Sequence, residues 1–191
     1  VSSYIRVDVV SRTRVYVSNT IGQTGVRGTR GTPCKTISEA LGNFADITNA
    51  DNTIVLLSDI TDPESADAVV SLAPTQTTTV TIDGQRRFNI DARGQADMRC
   101  MFVLGSLPAT DSFNLTLKNL GIVNGRRIDS GAGLCCAYNN SDISITLENC
   151  TISGNRIEST TGGQGAGILA EGNEPKLTLN QCIVEDNYII G

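Results

Sequence analysis

The sequence predicts an all-β fold, a parallel β-helix (solenoid) with a short N-terminal capping helix. The first observation is a segment that occurs three times, at Leu115–Leu120, Ile145–Cys150 and Leu177–Cys182, with starts 30 and then 32 residues apart. The second is that each copy is followed by a β-branched residue and then by a turn of Gly, Asn or Asp. A repeat of this length is typical of a solenoid, in which each unit buries its apolar face by stacking on its neighbours.

Each repeat is predicted to contain three short strands. In the third repeat these are Gly165–Ala170, Lys176–Leu179 and Cys182–Val184. Small and apolar residues alternate before the second copy as well, so Ala132, Leu134 and Cys136 are expected to share one face of a strand. Three strands per turn of about 30 residues is the layout of a parallel β-helix, whose coils stack about 4.8 Å apart.

Asparagines are expected where the chain bends between two inward apolar positions. Asn119 and Asn149 occupy this place, and such a bend requires a residue that tolerates left-handed backbone angles. Stacked on each other they would form an asparagine ladder, from which the third copy departs with Gln181. Two columns of equivalent residues are expected in the core: Leu117, Leu147 and Leu179, and Leu120, Cys150 and Cys182.

The first 50 residues differ from the repeats. A strand at Val15–Ser18 and a glycine-rich loop precede Pro33–Leu41, whose apolar spacing predicts a helix of about two turns that caps the first coil. Residues 51–191 are expected to form the coils, and the whole chain, 1–191, is interpreted as one domain of a longer protein. Four further strands are predicted before the repeats: Thr53–Leu57, Val80–Gly84, Phe88–Asp91 and Met101–Leu104.

Composition limits the possible partners. The chain of 191 residues has a net charge of −5, which disfavours a nucleic-acid surface. It contains no apolar run near the ~20 residues that a membrane span needs. Aromatic residues make up 4% and tryptophan is absent, so aliphatic residues, alanine and cysteine must build the core.

Six cysteines favour an oxidising compartment. Cys150 and Cys182 are equivalent in adjacent repeats, with Cα atoms expected about 5 Å apart, inside disulfide range. Stacked parallel side chains, however, keep their Cβ atoms nearly as far apart, which strains a bridge. A ladder of reduced thiols and a disulfide both remain open.

The remaining cysteines offer no readable pairing. Cys135 and Cys136 are neighbours on one predicted strand and face opposite ways, so they are not both expected in the core. Cys135 is the candidate for an external bridge, to Cys34 or to Cys100.

Three N-glycosylation sequons agree with an extracellular or cell-surface location. They begin at Asn114, Asn139 and Asn149. Asn139 follows a strand and is expected in a loop, which makes it the best acceptor. Asn149 is the poorest, because its predicted place at the bend uses its side chain internally.

The order of these elements resembles the pectin-lyase-like superfamily. The residues that carry the resemblance are Val15–Ser18, the glycine-rich loop, Pro33–Leu41, Val80–Gly84 and the Leu-Thr-Leu-x-Asn repeats. The chain is most similar to the large surface and secreted members, of the polymorphic outer-membrane adhesin type. The resemblance covers nearly the whole chain and implies a right-handed parallel β-helix. These motifs specify caps, bends and core positions rather than an activity.

Enzymes of that superfamily mostly act on acidic polysaccharides. The polygalacturonase-like hydrolases carry adjacent aspartates and a Gly-His-Gly segment, and this chain has neither Asp-Asp nor any histidine. The lyase-like members need clustered carboxylates for calcium and a basic residue facing them. The acidic loop of Asp59, Asp62, Glu64 and Asp67 is interpreted as solvated, and Arg86, Arg87, Arg126 and Arg127 as possible contacts to an anionic polymer. No catalytic residue, metal or cofactor is expected.

The sequence therefore favours a structural or adhesive module of an extracellular assembly, without catalysis. A carbohydrate-binding or lyase-like polysaccharide-modifying protein is the alternative. The expected partners are other protein subunits, bound through the apolar coil at Tyr188–Ile190, with polysaccharide as a second class.

Overall fold

The computed structural model is an all-β parallel solenoid of about four coils, with a short helix near its start. It confirms the fold class that the repeat predicts. It describes residues 13–105, 107–108, 110–138, 142–172 and 176–191.

Seventeen strands and one helix are found in the described residues. The first coils contain β1 Arg14–Val17, α1 Ile37–Leu41, β2 Thr53–Leu56, β3 Ala68–Leu72, β4 Thr78–Asp83, β5 Asn89–Asp91 and β6 Arg99–Gly105. The next coil contains β7 Ser112–Lys118, β8 Gly121–Val123, β9 Arg126–Arg127 and β10 Leu134–Tyr138. The last strands are β11 Asp142–Glu148, β12 Thr151–Ser153, β13 Arg156–Glu158, β14 Ile168–Gly172, β15 Lys176–Asn180, β16 Ile183–Glu185 and β17 Tyr188–Ile190.

Each full coil contributes one strand to each of four parallel sheets. Sheet 1 has the order β1-β2-β4-β7-β11-β15, sheet 2 β5-β8-β12-β16, sheet 3 β9-β13-β17 and sheet 4 β3-β6-β10-β14. The prediction of three strands per coil was wrong, because it missed sheet 3. Its strands have only two or three residues, too few for an alternating pattern to identify them.

The repeated leucines stack in register, as predicted. Leu117 pairs with Leu147, and Leu147 pairs with Leu179. Leu117 and Leu147 are completely buried in one core cluster that extends from Val15 to Ile152, whereas Leu179 in the last coil is 41% exposed. The core is thus continuous along the axis, and each coil stabilises its neighbours.

The predicted capping helix forms, although it is shorter than two turns. The Thr36 hydroxyl accepts from the backbone N–H of Glu39, and the Glu39 carboxylate accepts from the backbone N–H of Thr36, which is a capping box. Ile37 and Ala40 point into the core and are fully buried. The helix ends at Leu41 and covers the beginning of the solenoid.

The asparagine ladder at the bend between sheets 1 and 2 is confirmed. Asn119, Asn149 and Gln181 have φ of 52°, 51° and 54°, so glutamine adopts the same left-handed bend. Asn149 Nδ2 donates to Asn119 Oδ1 at 3.3 Å, and Asn119 Nδ2 donates to Asp83 Oδ1 at 3.1 Å. The row of side-chain hydrogen bonds therefore continues from the ladder to Asp83 in the preceding coil.

A second, buried ladder was not predicted. Asn155 is fully buried, and its Oδ1 accepts a hydrogen bond from the backbone N–H of Gly125 at 2.9 Å. Its Nδ2 donates to the Ile122 carbonyl at 3.0 Å and to Asn187 Oδ1 at 2.9 Å. Gly125 occupies the equivalent place one coil earlier, where a Cβ would collide with the Ala132 carbonyl. The ladder satisfies backbone groups that would otherwise be unpaired inside the core.

The apolar run before the second repeat is divided between two clusters. Leu134 and Cys136 belong to the main core, but Ala132 packs with Ile157 and Ala166 in a separate small cluster. The expectation that all three residues of the run share one face was wrong, because β10 begins only at Leu134 and the preceding residues form a bend.

Candidate binding grooves

All six cysteines lie in the described part of the chain, and all six are free thiols. No disulfide is present, so the disulfide interpretation is not supported for any of them. Cys34 and Cys100 are fully buried, and the Cys100 thiol donates to the Val123 carbonyl at 2.9 Å. Burial raises the pKa of Cys100 to about 12, which favours the protonated thiol.

The expectation that Cys135 and Cys136 do not both lie in the core is confirmed, although both side chains are buried. They are 4% and 1% exposed. Cys136 lies in the main core, while Cys135 lies outside that cluster next to Gly131, where an added Cβ would be 2.6 Å from Cys135 Cβ. The chain folds back over the outer face of sheet 4, so Cys135 is no longer an accessible partner for an external bridge.

Cys150 and Cys182 occupy equivalent positions, as the repeat predicts. The Cys150 thiol donates to the Leu117 carbonyl, and the Cys182 thiol donates to the Leu147 carbonyl, both at 3.3 Å. Burial raises the pKa of Cys150 to about 11. Each thiol thus bonds the preceding coil, which agrees with the reduced ladder.

Two of the three sequons can be located. Asn114 lies in β7, half-buried, with its Nδ2 3.5 Å from Thr79 Oγ1. Asn149 belongs to the asparagine ladder, so its amide is already hydrogen-bonded. Asn139 lies outside the described residues. Glycosylation of all three stays a prediction.

Three carboxylates of the acidic loop are solvated as expected, since Asp59 is exposed and the side chains of Asp62 and Asp67 are 49% and 39% exposed, but all four also have partners in the fold. Asp62 forms an ion pair with Lys35 at 3.0 Å, and Glu64 accepts from the backbone N–H of Ile37 at 2.6 Å, at the start of α1. Burial raises the pKa of Glu64. Asp59 accepts a hydrogen bond from the backbone N–H of Asn89, and Asp67 lies near the guanidinium of Arg99. Neither this loop nor any other place in the described ranges contains three metal-ligating side chains grouped together.

Arg127 is not a surface contact. Its side chain is 8% exposed and forms ion pairs with Asp97 at 3.0 Å and Asp129 at 2.8 Å. The hydrogen bond from Arg127 lowers the pKa of Asp129 to about 2. Arg99 is also buried, 3.7 Å from Asp67. This buried network contradicts the assignment of Arg127 as a polymer contact, because its guanidinium is already enclosed among carboxylates.

Arg86 and Arg87 instead project at the surface, beside a groove of about 670 Å³. We call this the first groove; it follows the bend between sheets 1 and 2 across successive coils. Arg86 Nε donates to Asn119 Oδ1 at 3.4 Å, and the Arg87 guanidinium lies 5.5 Å from the centre of the Phe88 ring. The lining also includes Asn89, Asn119, Gly121, Asn149, Thr151 and Gln181.

A second groove, of about 510 Å³, lies on the other side of sheet 2. Its lining consists of Arg93, Gly94, Asn124, Gly125, Gly154, Arg156 and Tyr188. A smaller pocket near the N-terminal end is lined by both Phe88 and Arg93, and so joins the regions of the two grooves. The described lining of neither groove contains a carboxylate.

The outer face of sheet 1 carries a column of threonines that the sequence analysis missed. Its members pair in register from coil to coil: Thr53, Thr81, Thr116, Thr146 and Thr178. The Leu-Thr-Leu motif contained this signal, because the residue between two inward leucines must point outward. Cross-strand threonine pairs stabilise a sheet and leave a regular polar surface.

Comparison of the chain with protein-family models, with curated proteins and with solved structures finds no match. The parallel solenoid is therefore shown by its own geometry. In the described residues no helix is long and apolar enough to cross a membrane.

Proposed function

We propose that the chain is a structural or adhesive module of an extracellular or surface assembly, and that it binds rather than catalyses. The observation that carries the proposal is the continuous register of sheet 1, six parallel strands over one core. Such a stack is stiff, and its outer faces repeat at every coil. The pectin-lyase-like and adhesin resemblance of the sequence supports the same proposal.

The layer of β15, β16 and β17 supports assembly through one end of the stack. Apolar side chains in this layer are about half exposed: Leu179, Ile183, Val184, Ile189 and Ile190. The same layer of a second copy, packed against this face, would bury them, with a gain of roughly 25 cal/mol per Å² of apolar surface. We propose that a second subunit covers this face in the assembly.

The 191-residue chain can test this proposal. We expect it to dimerise through the exposed layer, with the same face buried on both copies. Replacing Ile183 and Ile189 together with lysine should abolish dimerisation in sedimentation-velocity measurements. Lysine at Ile21 and Ile128, which are exposed outside this layer, is the matched control and should leave the dimer intact. A wild-type chain that stays monomeric at high concentration would contradict the proposal.

A second candidate function, carbohydrate binding, is favoured by the two grooves. The first groove has the side-chain amides of Asn119, Asn149 and Gln181 at coil spacing, and both grooves have arginines in their lining. Side-chain amides both donate and accept, as sugar hydroxyls do.

A further inference from the structure

We propose that the bend at residues 84–88 is a proteolytic processing site, at which a protease specific for paired basic residues hydrolyses the peptide bond between Arg87 and Phe88. Both parts of the chain then stay in the folded solenoid. The inference goes beyond the proposed function and does not depend on it.

The sequence contains two pairs of adjacent basic residues, and the fold exposes only one of them. Arg86 and Arg87 are both exposed in the bend between β4 and β5. Arg126 and Arg127 form β9, and the guanidinium of Arg127 is enclosed between two aspartates. Proteases that cut after arginine recognise its side chain with a carboxylate at the bottom of a pocket, so the arginine must be accessible. The first pair meets this condition and the second does not.

The bend with the exposed pair is longer than the equivalent bends of later coils. It has five residues, whereas two residues join β7 to β8 and two join β11 to β12. Gln85 and Arg86 have φ of 57° and 59°, in the left-handed region that is unfavourable for residues with a Cβ atom. Opening of the bend relieves this conformation. Exposed loop tips of this kind are preferred sites of proteolytic cleavage.

A protease binds its substrate in an extended form, so the bend has to open before it is cut. The backbone hydrogen bonds within the bend are local: Arg86 N–H donates to the Asn119 carbonyl, and the N–H groups of Arg87 and Phe88 donate to the Gly84 carbonyl. While these bonds are broken, β4 can stay paired with β2 and β7, and β5 with β8. The bend can therefore open locally, without unfolding of a coil.

The two products share one core, although no covalent bond joins them. Residues 1–87 contain β1 to β4 and the helix, and residues 88–191 contain β5 to β17. The parts are paired through β4 with β7 and through β3 with β6. The main core cluster extends across both of them, from Val15 to Ile152. We therefore expect the cut chain to remain one folded particle.

The new N-terminus is formed beside a carboxylate. Hydrolysis adds one water molecule across the amide, which leaves a carboxylate on Arg87 and an ammonium group on Phe88. Phe88 lines a pocket of about 390 Å³ whose charged members are Asp59, Asp62 and Arg93. Asp59 Oδ1 accepts from the backbone N–H of Asn89, the residue after Phe88, at 2.8 Å. The ammonium group therefore has an anionic partner within reach, which stabilises the cut form.

The experiment treats the folded 191-residue chain with a kexin-type protease, which cuts after paired basic residues, and identifies the products by intact-mass spectrometry. We expect one cut, after Arg87, with a rate at least about tenfold higher than at Arg127, because the second pair becomes accessible only when β9 unfolds. The cut chain should elute as a single species in size-exclusion chromatography and separate into two masses only after denaturation.

Two controls separate the effect of structure from that of sequence. Arg87→Gln should abolish the cut, whereas Arg30→Gln, which changes another exposed arginine, should leave its rate unchanged. Synthetic peptides of residues 82–91 and 122–131 should both be cut, because neither pair is enclosed in a short peptide. A folded chain that stays intact while the first peptide is fully cut, or that is cut first at Arg127, would overturn the site. Products that separate without denaturant would overturn the shared core of the cut form.

The role of Asp59 has its own measurement. Asp59→Asn keeps an oxygen that can accept from the Asn89 N–H but removes the charge, so it should lower the melting temperature of the cut chain more than that of the intact chain. Equal shifts in the two forms would overturn the ion pair with the new N-terminus. The dimerisation experiment tests the structural proposal separately, because Ile183 and Ile189 lie in the exposed layer at the other end of the stack.

Discussion

Truncation of one buried leucine tests whether the coils share a single core. Leu147 is fully buried and pairs with Leu117 on one side and Leu179 on the other. Leu147→Ala removes three carbon atoms, with a transfer term of about 2.4 kcal/mol at about 0.8 kcal/mol per group. A residual cavity adds to this, so we expect the free energy of unfolding to fall by about 3–4 kcal/mol.

The same column supplies the control. Leu179 pairs with Leu147 on one side, has no paired strand on the other, and is 41% exposed. Because water reaches this site, Leu179→Ala should lower the free energy of unfolding by only about 1–1.5 kcal/mol. Urea denaturation of both variants, followed by circular dichroism with the m-value fitted, measures the difference.

One result of this experiment would refute the shared core. If Leu147→Ala costs no more than Leu179→Ala, the column does not form a shared core, and the argument from the repeat fails. A lower m-value in the Leu147 variant alone would show instead that the coils unfold separately rather than cooperatively.

Three further predictions concern polar groups. Asn155→Ala should lower the free energy of unfolding by about 2–4 kcal/mol, measured by urea denaturation, because it leaves buried backbone groups unpaired. The hydrogen bond from Arg127 lowers the pKa of Asp129 to about 2, so the ionised carboxylate stabilises the fold fully above the unfolded pKa near 4, and this stabilisation is lost as pH falls toward 2. In thermal melts across that range, the melting temperature of Asp129→Asn should therefore fall less than that of the wild type. A maleimide added to the native chain should label Cys182 first, as mass spectrometry of peptides can determine, because the other five thiols are buried.

The fold could be predicted from sequence because its information is local and repeated. The Leu-Thr-Leu-x-Asn units specify inward and outward positions, and stacking at a constant period puts equivalent residues in contact. The bend at Asn119 and the register of Leu117 and Leu147 follow directly. The strand β3 and all of sheet 3 escaped prediction: the five residues of β3 do not alternate in burial, the strands of sheet 3 have only two or three residues, and both are defined by pairing with the next coil.

The candidate site was only partly predictable. Arg86 and Arg87 were recognised as possible polymer contacts, and they do lie at the surface beside a groove. Arg127 was assigned the same way and lies in a buried network with Asp97 and Asp129. Arginine pairs look alike in a sequence; Arg127 meets carboxylates both two positions away, at Asp129, and 30 positions away, at Asp97.

The solenoid, its core columns and its left-handed bends follow from the sequence, since each depends on residue type and on a fixed period. Which polar groups are enclosed and which are open depends on how the coils pack. The Asn155 ladder and the surface grooves arise where segments from different coils meet, and Cys135 is buried where the chain at Gly131 lies against its own strand. Burial and charge at such places are sums over neighbours in space, and a linear pattern does not contain them.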